Sequence, residues 1–426
     1  MERKNKIKKS LKFSLLDGVF ASCMVGMTAD YITPYALTLK AYPYQIGILN
    51  ALPNLSSSLV QLKSADLTEK LKSRKKIINY FGFLHTLMLL PILLIPYLFK
   101  EQNQVFFLIV FFTLFTSLGA FAGPAWSSLI SDYLPYKSRG KYFGWRNKIL
   151  GIVTIISSFL AGFILHLFKF NILKGFLIIF SLAFIFRLIS WYFLTRMYEA
   201  QVKVKPETYF SFFDFLKRLR ESNFVKFVIF VASLNFCVNL ASPFFSVFML
   251  RDLKFNYIIY TLLVVSVSIS SIFFIDRWGR QADKVGNVKI LKLTSFFIAS
   301  LPLWWIINQN PIYLVFAQIL SGFAWSGFNL CAINFIYDAV SPSKRTRCIA
   351  YFNVVSGSAS CLGALLGGYL LNILPSLFGF KILTLFLISS SLRFLVAILN
   401  SRKIKEVRKT ENITSKDLFY SVIGIK

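Results

Sequence analysis

Asp30 is the carboxylate whose position in the sequence most suggests chemistry. It lies within an apolar stretch, residues 14–38, that is long enough to place it deep in a membrane. An ionisable side chain at that depth is costly and by default marks a functional site. A carboxyl group that takes up and releases a proton there could couple proton movement to another event. The matching residue of a later stretch is Asn239, which equally suits a side chain that only forms hydrogen bonds, so both interpretations stay open.

Two basic and aromatic stretches, ISDYLPYKSRGKYFGWRN and IYDAVSPSKRTRCIAYFN, form a second group of candidates. Taken alone, either one resembles a nucleic-acid surface, with cations for phosphate groups and aromatic rings for stacking. Asp132 and Arg139 of the first stretch recur in the second, at the same spacing, as Asp338 and Arg345. The segments on either side of the two stretches decide between the interpretations.

The elements that must position these residues are long apolar segments. Hydrophobic residues make up 56% of the 426 residues and charged residues only 15%, against about a quarter in soluble domains. Runs of about 20 apolar residues, enough to cross about 30 Å of hydrocarbon as a helix, recur along the chain. The sequence therefore predicts an all-α integral membrane protein with twelve transmembrane helices. Their predicted limits are 14–38, 43–63, 78–98, 104–130, 147–167, 174–195, 224–250, 256–276, 289–308, 312–336, 349–372 and 380–400.

Basic residues are distributed unevenly between the two sides that these spans define. Of the 48 lysines and arginines, only seven lie in the connections of one side and two lie within spans, whereas all the others lie on the opposite side. Cytoplasmic connections carry such an excess. We therefore expect a multi-pass protein of the plasma (inner) membrane with both termini in the cytoplasm. The basic side is expected to contact anionic membrane lipids, which removes the reason to expect a nucleic-acid partner.

The two halves of the chain repeat each other. DYITPYAL is repeated as NLASPFFS, and the two intramembrane arginines, Arg187 and Arg393, recur at the same offset as the basic stretches. Two units of six spans each have the same orientation in the membrane. We predict an N-terminal six-helix bundle at 1–196, a cytoplasmic linker with an amphipathic interfacial helix at 197–222, a C-terminal six-helix bundle at 223–401 and a basic cytoplasmic tail at 402–426.

The loop after the eighth span, GRQADKVGNVK, carries the most specific motif of the sequence. Gly279, Asp283, Gly286 and Lys289 occupy the fixed positions of the pattern G-x-x-x-D-x-x-G-x-x-[KR]. With twelve spans, duplicated halves and a long basic central loop, the whole chain resembles the Major Facilitator Superfamily of secondary transporters. The basic stretches are similar to those of a branch whose members mostly lack an assigned substrate, so the resemblance implies the fold and the transport cycle but no particular solute.

The resemblance also implies a cytoplasmic gate. The first-half loop, SADLTEKLKSRKK, keeps Asp66 and the basic Arg74 but lacks the glycines. In the superfamily, each loop aspartate caps a helix start in the opposite half, where N–H groups are free, and pairs with a basic residue. Asp283 is then expected near Arg139, and Asp66 near Arg345. Asp132 and Asp338 are the expected local partners of these two arginines. The other interpretation is that these are ordinary charges that orient the chain. The predicted gate residues are Asp66, Arg74, Asp132, Arg139, Gly279, Asp283, Gly286, Asp338 and Arg345.

A central solute pathway is the second implication of the resemblance, because the first, fourth, seventh and tenth helices line the cavity in this superfamily. Asn235 and Asn239 lie one helical turn apart on one face of the seventh span. Amide and indole groups suit a polar organic solute such as a sugar or nucleoside, although they also join helices to one another. The predicted pathway residues are Asp30, Tyr31, Trp126, Asn235, Asn239, Trp325 and Asn329.

These features predict a secondary active transporter that moves a small polar organic solute by alternating access, with proton symport through Asp30 as an added hypothesis. The alternatives are a facilitative uniporter on the same fold and a solute sensor or receptor that does not transport. The short, basic and featureless tail argues against the sensor. We predict no enzyme activity, cofactor or metal, and a monomer whose partners are a small-molecule solute, a proton if symport holds, and anionic membrane lipids.

Several residues receive only structural interpretations. Arg187 and Arg393 are expected to extend to the inner head groups, and Asp17 lies close enough to the inner surface to reach it. His85 has no carboxylate near it in the sequence and is assigned no role. The segment CLGALLGGYL predicts close helix packing through small residues. The fifth span, GIVTIISSFLAGF, lacks the Gly-Pro pair of the antiporter motif, so drug–proton antiport is not expected.

Overall fold

The computed structural model describes residues 2–71, 73–134, 136–199, 222–341, 345–401, 403–408, 410 and 414–424. These residues form helices joined by short connections, and the β pairing among them is limited to an isolated bridge between Leu377 and Phe380. The linker residues 200–221, with the predicted amphipathic helix, lie outside the described residues.

The first half contains eight helices among the described residues. Polar side chains cap several of them, as where Ser73 accepts a hydrogen bond from the Lys76 N–H and Asn171 from the Lys174 N–H, which satisfies backbone groups that the helix leaves free. The helices are α1 (Glu2–Thr28), α2 (Ile32–Thr38), α3 (Pro43–Leu71), α4 (Arg74–Leu87), α5 (Leu89–Leu98), α6 (Glu101–Tyr133), α7 (Tyr136–Leu167) and α8 (Ile172–Thr195).

The second half contains eight more helices and one π-helical turn among the described residues. Asn310 caps the helix that begins with Pro311, a position where a proline loses no hydrogen bond. The elements are α9 (Asn223–Asn239), α10 (Phe244–Val247), the π turn (Phe248–Asp252), α11 (Tyr257–Val285), α12 (Asn287–Ile307), α13 (Pro311–Ala339), α14 (Arg345–Ile373), α15 (Lys381–Ser401) and α16 (Ser415–Ile423).

In the described part of the chain, 11 helical segments are long and apolar enough to cross a membrane. Each coincides with one of the twelve predicted spans. The remaining prediction, 43–63, falls in α3, which is a helix of 29 residues. Asn50, Asn54 and the serines at 56–58 give α3 a more polar sequence than the other spans, which explains why hydropathy alone does not select it.

The chain divides into two compact units. The first unit consists of Met1–Lys205 with Met249–Thr261, and the second consists of Pro206–Phe248 with Leu262–Lys426. In the first unit α1 packs on α7 and α8, and α4 packs on α6; in the second unit α9 packs on α14 and α15, and α12 packs on α13. The same helix pairs therefore hold each unit together, as the repeated sequence predicts.

Small residues bring two helices of the second unit into backbone contact. A Cβ atom at Gly367 would lie 2.1 Å from the carbonyl oxygen of Leu240, and one at Gly363 would lie 2.3 Å from that of Phe236. Any larger residue would push α14 away from α9. The close packing predicted from CLGALLGGYL is confirmed.

Candidate functional site

The first predicted span is broken at Asp30. Helix α1 ends at Thr28 and α2 begins at Ile32, so Asp30 lies in the turn between them. Pro34 explains the break, because a proline has no N–H to donate and its ring crowds the carbonyl four residues earlier. That carbonyl belongs to Asp30, and it accepts a hydrogen bond from the Tyr260 hydroxyl at 2.5 Å.

The side chains at this break differ in exposure. Asp30 as a whole residue is partly exposed, and its carboxyl group accepts a hydrogen bond from the Ser158 hydroxyl at 3.4 Å. Tyr31 is fully buried; its hydroxyl donates to the Ser158 carbonyl at 2.6 Å and lies 2.7 Å from the Thr261 hydroxyl oxygen. Asp30 therefore has surface to offer a solute or proton, whereas Tyr31 acts here as a hydrogen-bonded packing residue.

The seventh predicted span is broken at the matching position. Helix α9 ends at Asn239 and α10 begins at Phe244, and Pro243 stands four residues after Asn239, as Pro34 does after Asp30. The Asn239 amide donates to the Asn235 carbonyl at 2.9 Å and to the Ser360 hydroxyl at 3.1 Å. Each unit therefore holds a polar side chain at a break caused by proline, which is the structural meaning of the repeated segments DYITPYAL and NLASPFFS.

The remaining predicted pathway residues keep some accessible surface. Trp126 in the first unit lies under the Arg146 guanidinium, 4.5 Å from its ring centre, and is partly exposed, but its indole nitrogen is buried. In the second unit Trp325 is partly exposed and packs edge-on against Phe328, while Asn329 is exposed. The second unit thus offers an indole and an amide, whereas Trp126 offers only part of its ring.

A buried charge network, consisting of Asp17, His85, Arg146, Arg187 and Ser190, lies inside the first unit. The Ser190 hydroxyl donates to the Asp17 carboxylate at 2.7 Å. A guanidinium nitrogen of Arg146 and one of Arg187 each lie 3.9 Å from that carboxylate. The Nε of Arg187 donates to Nδ1 of His85 at 3.0 Å. The network joins four helices through one carboxylate and two guanidinium groups.

The expectations for Arg187 and Asp17 were wrong. Only 8% of Arg187 and 5% of Asp17 is exposed, so neither residue reaches the membrane surface. An unpaired buried ion costs several kcal/mol, and the two residues meet inside the unit instead. His85, to which no role was assigned, is the third member of this contact. The sequence concealed the network because its members come from helices far apart in the chain.

Arg393, the repeat mate of Arg187, is also buried, with 2% exposure, so the expectation that it extends to the head groups was wrong as well. It donates to the carbonyl oxygens of Ile298 and Val238 at 3.1 and 3.2 Å and to the Ser389 hydroxyl at 3.1 Å. Among the described residues no carboxylate forms an ion pair with it. The two repeated arginines are therefore satisfied in different ways.

An ionic cluster lies at the start of α4 in the first unit; we call it the first cluster. Arg74 is 3% exposed, and its Nη1 donates to the Asp132 carboxylate at 2.7 Å. Glu199, which follows α8, accepts hydrogen bonds from the Lys75 N–H at 3.1 Å and the Ser73 hydroxyl at 2.7 Å. The glutamate thereby satisfies a backbone group that the start of a helix leaves free.

The second unit repeats this arrangement at the start of α12; we call it the second cluster. Asn287, the first residue of α12, donates to the Asp338 carboxylate at 2.8 Å. The guanidinium in this cluster belongs to Arg408 of the C-terminal tail, which lies 2.7 Å from Asp338 and 3.4 Å from Asp283. Hydrogen bonding to Asp338 raises the pKa of Arg408, so the guanidinium stays charged at physiological pH.

Glu406 completes the second cluster and explains one glycine of the loop motif. Its carboxylate accepts a hydrogen bond from the Val288 N–H at 2.8 Å. Gly286 has a φ of 85°, and a Cβ atom there would lie 2.4 Å from a Glu406 oxygen. A Cβ atom at Gly279 would meet only Leu330, at 3.7 Å, which is an ordinary contact. Of the two motif glycines, Gly286 is the one that this structure requires.

The C-terminal tail has structure, and the expectation that it is featureless was wrong. Leu418 and Val422 of α16 are fully buried. The Arg277 guanidinium donates to the carbonyl oxygens of Val422 and Ile423 at 3.2 and 3.0 Å, where a helix end leaves carbonyl groups free. The Gln281 amide donates to the Ser421 hydroxyl at 2.6 Å. The tail is therefore packed on the second unit next to the loop motif.

Part of the predicted gate cannot be placed. The side chains of Asp66, Arg139 and Arg345 lie outside the described residues, so their expected pairings remain predictions. For Asp132 and Asp338 the described partners are Arg74 and Arg408.

Sequence reasoning missed Glu199, Glu406 and Arg408. A signal for the two glutamates exists: TRMYE follows the sixth span and SRKIKE follows the twelfth. One inserted residue in the second copy hides the repeat. Arg408 has no counterpart that a comparison of the halves could reveal.

Comparisons with known proteins agree with this architecture. The profile of the MFS_1 like family matches residues 14–382. The multi-drug resistance efflux pump PmrA of Streptococcus pneumoniae is 31% identical over 175 residues, which cover 38% of this chain and 40% of the pump. An uncharacterized transporter of Buchnera aphidicola subsp. Schizaphis graminum is 24% identical over 170 residues, 40% of each chain. The chain thus spans about two fifths of the length of these curated relatives.

Two solved transporter structures share the fold over nearly the full chain. A mutant of the nucleoside transporter NupG superposes with a TM-score of 0.71 at 17% identity and covers 93% of this chain and 100% of its own. The D-xylose-proton symporter superposes with a TM-score of 0.71 at 13% identity and covers 96% and 99%. At such low identity the likeness establishes the fold alone.

Proposed function

Because the chain belongs to the MFS_1 like family, we propose that it is a secondary transporter that moves a small polar organic solute across the plasma membrane by alternating access. The relatives and the fold are those of membrane transporters and not of enzymes. We further propose twelve transmembrane helices, with α3 as the twelfth, and both termini in the cytoplasm. The excess of basic residues on one side supports this orientation.

The observation that carries the proposal is the pair of proline breaks with Asp30 and Asn239 in them. Discontinuous helices at membrane depth free backbone groups and polar side chains to bind a solute or an ion. The partly exposed rings of Trp126 and Trp325 add stacking surface, and the exposed amide of Asn329 adds hydrogen-bonding groups. These groups suit a polar organic solute such as a sugar or nucleoside.

The proposed gate lies at the two ionic clusters. Asp283 and Asp338 share Arg408 in the second cluster, and Asp132 is paired with Arg74 in the first. The resemblance that predicted the gate also gives Asp283 a partner in the opposite half, near Arg139. We propose that Asp283 exchanges Arg408 for that partner during the cycle. Its side chain, 76% exposed, and the long 3.4 Å contact to Arg408 support an easily exchanged pairing.

Proton coupling is assigned to Asp30. Asp30 is partly exposed, and among the described residues its carboxyl group accepts a single, long hydrogen bond, from the Ser158 hydroxyl at 3.4 Å. Asp17, by contrast, is held within the buried charge network. A carboxyl group that few neighbours fix in one charge state is the better candidate for taking up and releasing a proton.

The test begins by identifying a solute. The purified protein is heated with a panel of sugars, nucleosides, amino acids, organic acids and drugs, because a bound solute at 1,000 times its Kd stabilises by roughly 4 kcal/mol. The hit is then used in proteoliposomes. Asp30→Asn should abolish uptake driven by a pH gradient and leave counterflow largely intact.

Ser158→Ala is the matched control, because it removes the hydrogen bond to Asp30 and keeps the carboxyl group. It should retain uptake driven by the pH gradient. If Asp30→Asn shows unchanged pH dependence, the proton role is wrong and the chain is a facilitative uniporter. A solute that binds to the wild-type protein but shows no counterflow would indicate a sensor. The tail is structured, so it is no longer an argument against that alternative.

A second candidate function is export of a drug-like compound, which the 31% identity to an efflux pump favours. The missing Gly-Pro pair in the fifth span argues against a proton antiporter of that kind. Transport of the thermal-shift hit into inside-out vesicles, compared with right-side-out vesicles, separates export from import.

A further inference from the structure

A cavity of about 420 Å³ lies at one end of the first unit, between the start of α1, the end of α8 and Tyr198. Lys6, Lys9 and Arg196 line it, and among the described residues that do so none is a carboxylate. Lys6 and Lys9 are three residues apart on α1, so both side chains occupy one face of the helix. The cavity therefore brings three basic side chains together.

The walls of this cavity are held in place. Ser10 is buried, and its hydroxyl accepts a hydrogen bond from the Tyr198 N–H at 2.9 Å. Arg196 donates to the Tyr192 hydroxyl at 2.8 Å and lies over the Tyr192 ring, 5.1 Å from its centre. Lys6 lies over the Tyr198 ring at 5.9 Å. These contacts orient the basic groups and set them among aromatic rings.

An aromatic track leads away from the cavity along α1 and α8. Phe13 and Phe193, which both line the cavity, stack with ring centres 6.0 Å apart. Phe20 continues the row, 5.9 Å from Phe193 and 6.2 Å from Phe186. Phe13 and Phe20 are seven residues apart, which is about 10 Å along a helix. All four rings are partly exposed, so the track is open to the apolar interior of the membrane.

We propose that the cavity binds the phosphate of an anionic phospholipid, and that an acyl chain of the lipid lies along the aromatic track. Lysine and arginine side chains bind phosphate through charge-assisted hydrogen bonds. The cytoplasmic leaflet supplies anionic lipids and attracts basic residues at the membrane surface. The inference rests on the orientation proposed above, with the start of α1 in the cytoplasm, and does not depend on which solute is transported.

The experiment uses the full chain in detergent and titrates it with dioleoyl phosphatidylglycerol or dioleoyl phosphatidylcholine, with bound lipid counted by native mass spectrometry. Lys6→Gln/Lys9→Gln removes two cations of the cavity. Lys8→Gln/Lys12→Gln is the matched control, since both lysines lie on the same helix, are exposed and do not line the cavity. Arg196→Gln is a second, independent variant from another helix.

The cavity variant should bind phosphatidylglycerol on the order of tenfold or more weakly, from the contribution of each basic residue at an anionic surface. The control variant should bind it as the wild-type protein does, and phosphatidylcholine should bind weakly to all. Phosphatidylglycerol with hexanoyl chains should bind less tightly than the dioleoyl lipid, because it cannot cover the aromatic track.

Equal losses in the cavity and control variants would overturn the proposal, because binding would then depend only on total charge. Displacement of the lipid by millimolar inorganic phosphate, with no effect of chain length, would identify a phosphate-ion site and overturn the lipid assignment. Labelling of Lys8→Cys in sealed vesicles tests the orientation separately. An external Lys8 would overturn the proposal, because the inference requires the start of α1 to face the cytoplasmic leaflet.

Discussion

In the first unit, the guanidinium that pairs with the aspartate near the end of the fourth span is Arg74, a buried residue at the start of α4. In the second unit the corresponding aspartate pairs with Arg408, which comes from the tail, while the start of α12 offers only Asn287. A glutamate completes each cluster: Glu199, which follows α8, in the first and Glu406, which follows α15, in the second. The two clusters are thus equivalent in position. The first unit supplies its guanidinium from a helix of the bundle, and the second unit supplies it from the C-terminal tail.

The buried arginines show a second difference between the halves. Arg187 meets the carboxylate of Asp17 and the imidazole of His85, whereas Arg393 meets two carbonyl oxygens and a serine hydroxyl. The two halves therefore share the position of a buried guanidinium group but differ in the groups to which it binds. Substitutions that are equivalent in sequence should consequently have unequal effects, from several kcal/mol in the buried network to about 1 kcal/mol at the tail.

The largest expected effect is that of Asp17→Asn. This change leaves Arg146 and Arg187 buried without their carboxylate, and removing one partner of a buried ion pair costs about 3–5 kcal/mol. The apparent melting temperature in detergent should fall markedly. In the second unit, Arg393→Met removes a buried cation that has no carboxylate partner among the described residues. It leaves no unpaired charge but takes a hydrogen-bond donor from three buried oxygens, so a smaller loss of about 1–3 kcal/mol is expected.

The contrast between these two variants is the measurement. If Asp17→Asn and Arg393→Met lower the melting temperature by similar amounts, the Asp17 carboxylate does not make Arg187 contribute differently to stability from Arg393. Asp252→Asn serves as a control for the loss of an acidic side chain, because Asp252 pairs with the part-exposed Arg251 outside the network.

The next effect concerns the motif glycines. Gly286→Ala places a Cβ atom against the Glu406 carboxylate at φ 85° and ψ 163°, a backbone conformation essentially confined to glycine, which costs an L-residue about 1–3 kcal/mol before any clash is counted. Gly279→Ala has room for its methyl group and should change stability by less than about 0.5 kcal/mol. Melting temperatures of the two variants, measured side by side, test the assignment. A greater loss at Gly279 would contradict the role given to Glu406.

The helical membrane fold was predictable from the sequence, because the apolar length of a span is a property of a single segment. Eleven predicted spans coincide with membrane-length helices, and the proline breaks at Asp30 and Asn239 account for a repeat that was visible in the sequence. The buried charge network was not predictable, because the pairing of Asp17 with Arg187 depends on how α1 and α8 pack. Glu199 and Glu406 were missed for a different reason: one inserted residue displaces the second copy.

The smallest expected effect separates the two ionic clusters. In double-mutant cycles, Asp132→Ala with Arg74→Ala should give the larger coupling energy, because the Arg74 side chain is only 4% exposed and also donates to the Ser128 hydroxyl at 2.9 Å, so the bundle holds it in place. Asp338→Ala with Arg408→Ala should give about 0.2–1 kcal/mol, since the Arg408 side chain comes from the tail and is 40% exposed. One partner of each pair is exposed, Asp132 in the first and Arg408 in the second, so raising the salt concentration should weaken both couplings. Equal couplings would show that a guanidinium supplied by the tail is held as firmly as one built into the bundle, and Arg408 would then be a poor candidate for a partner that Asp283 releases.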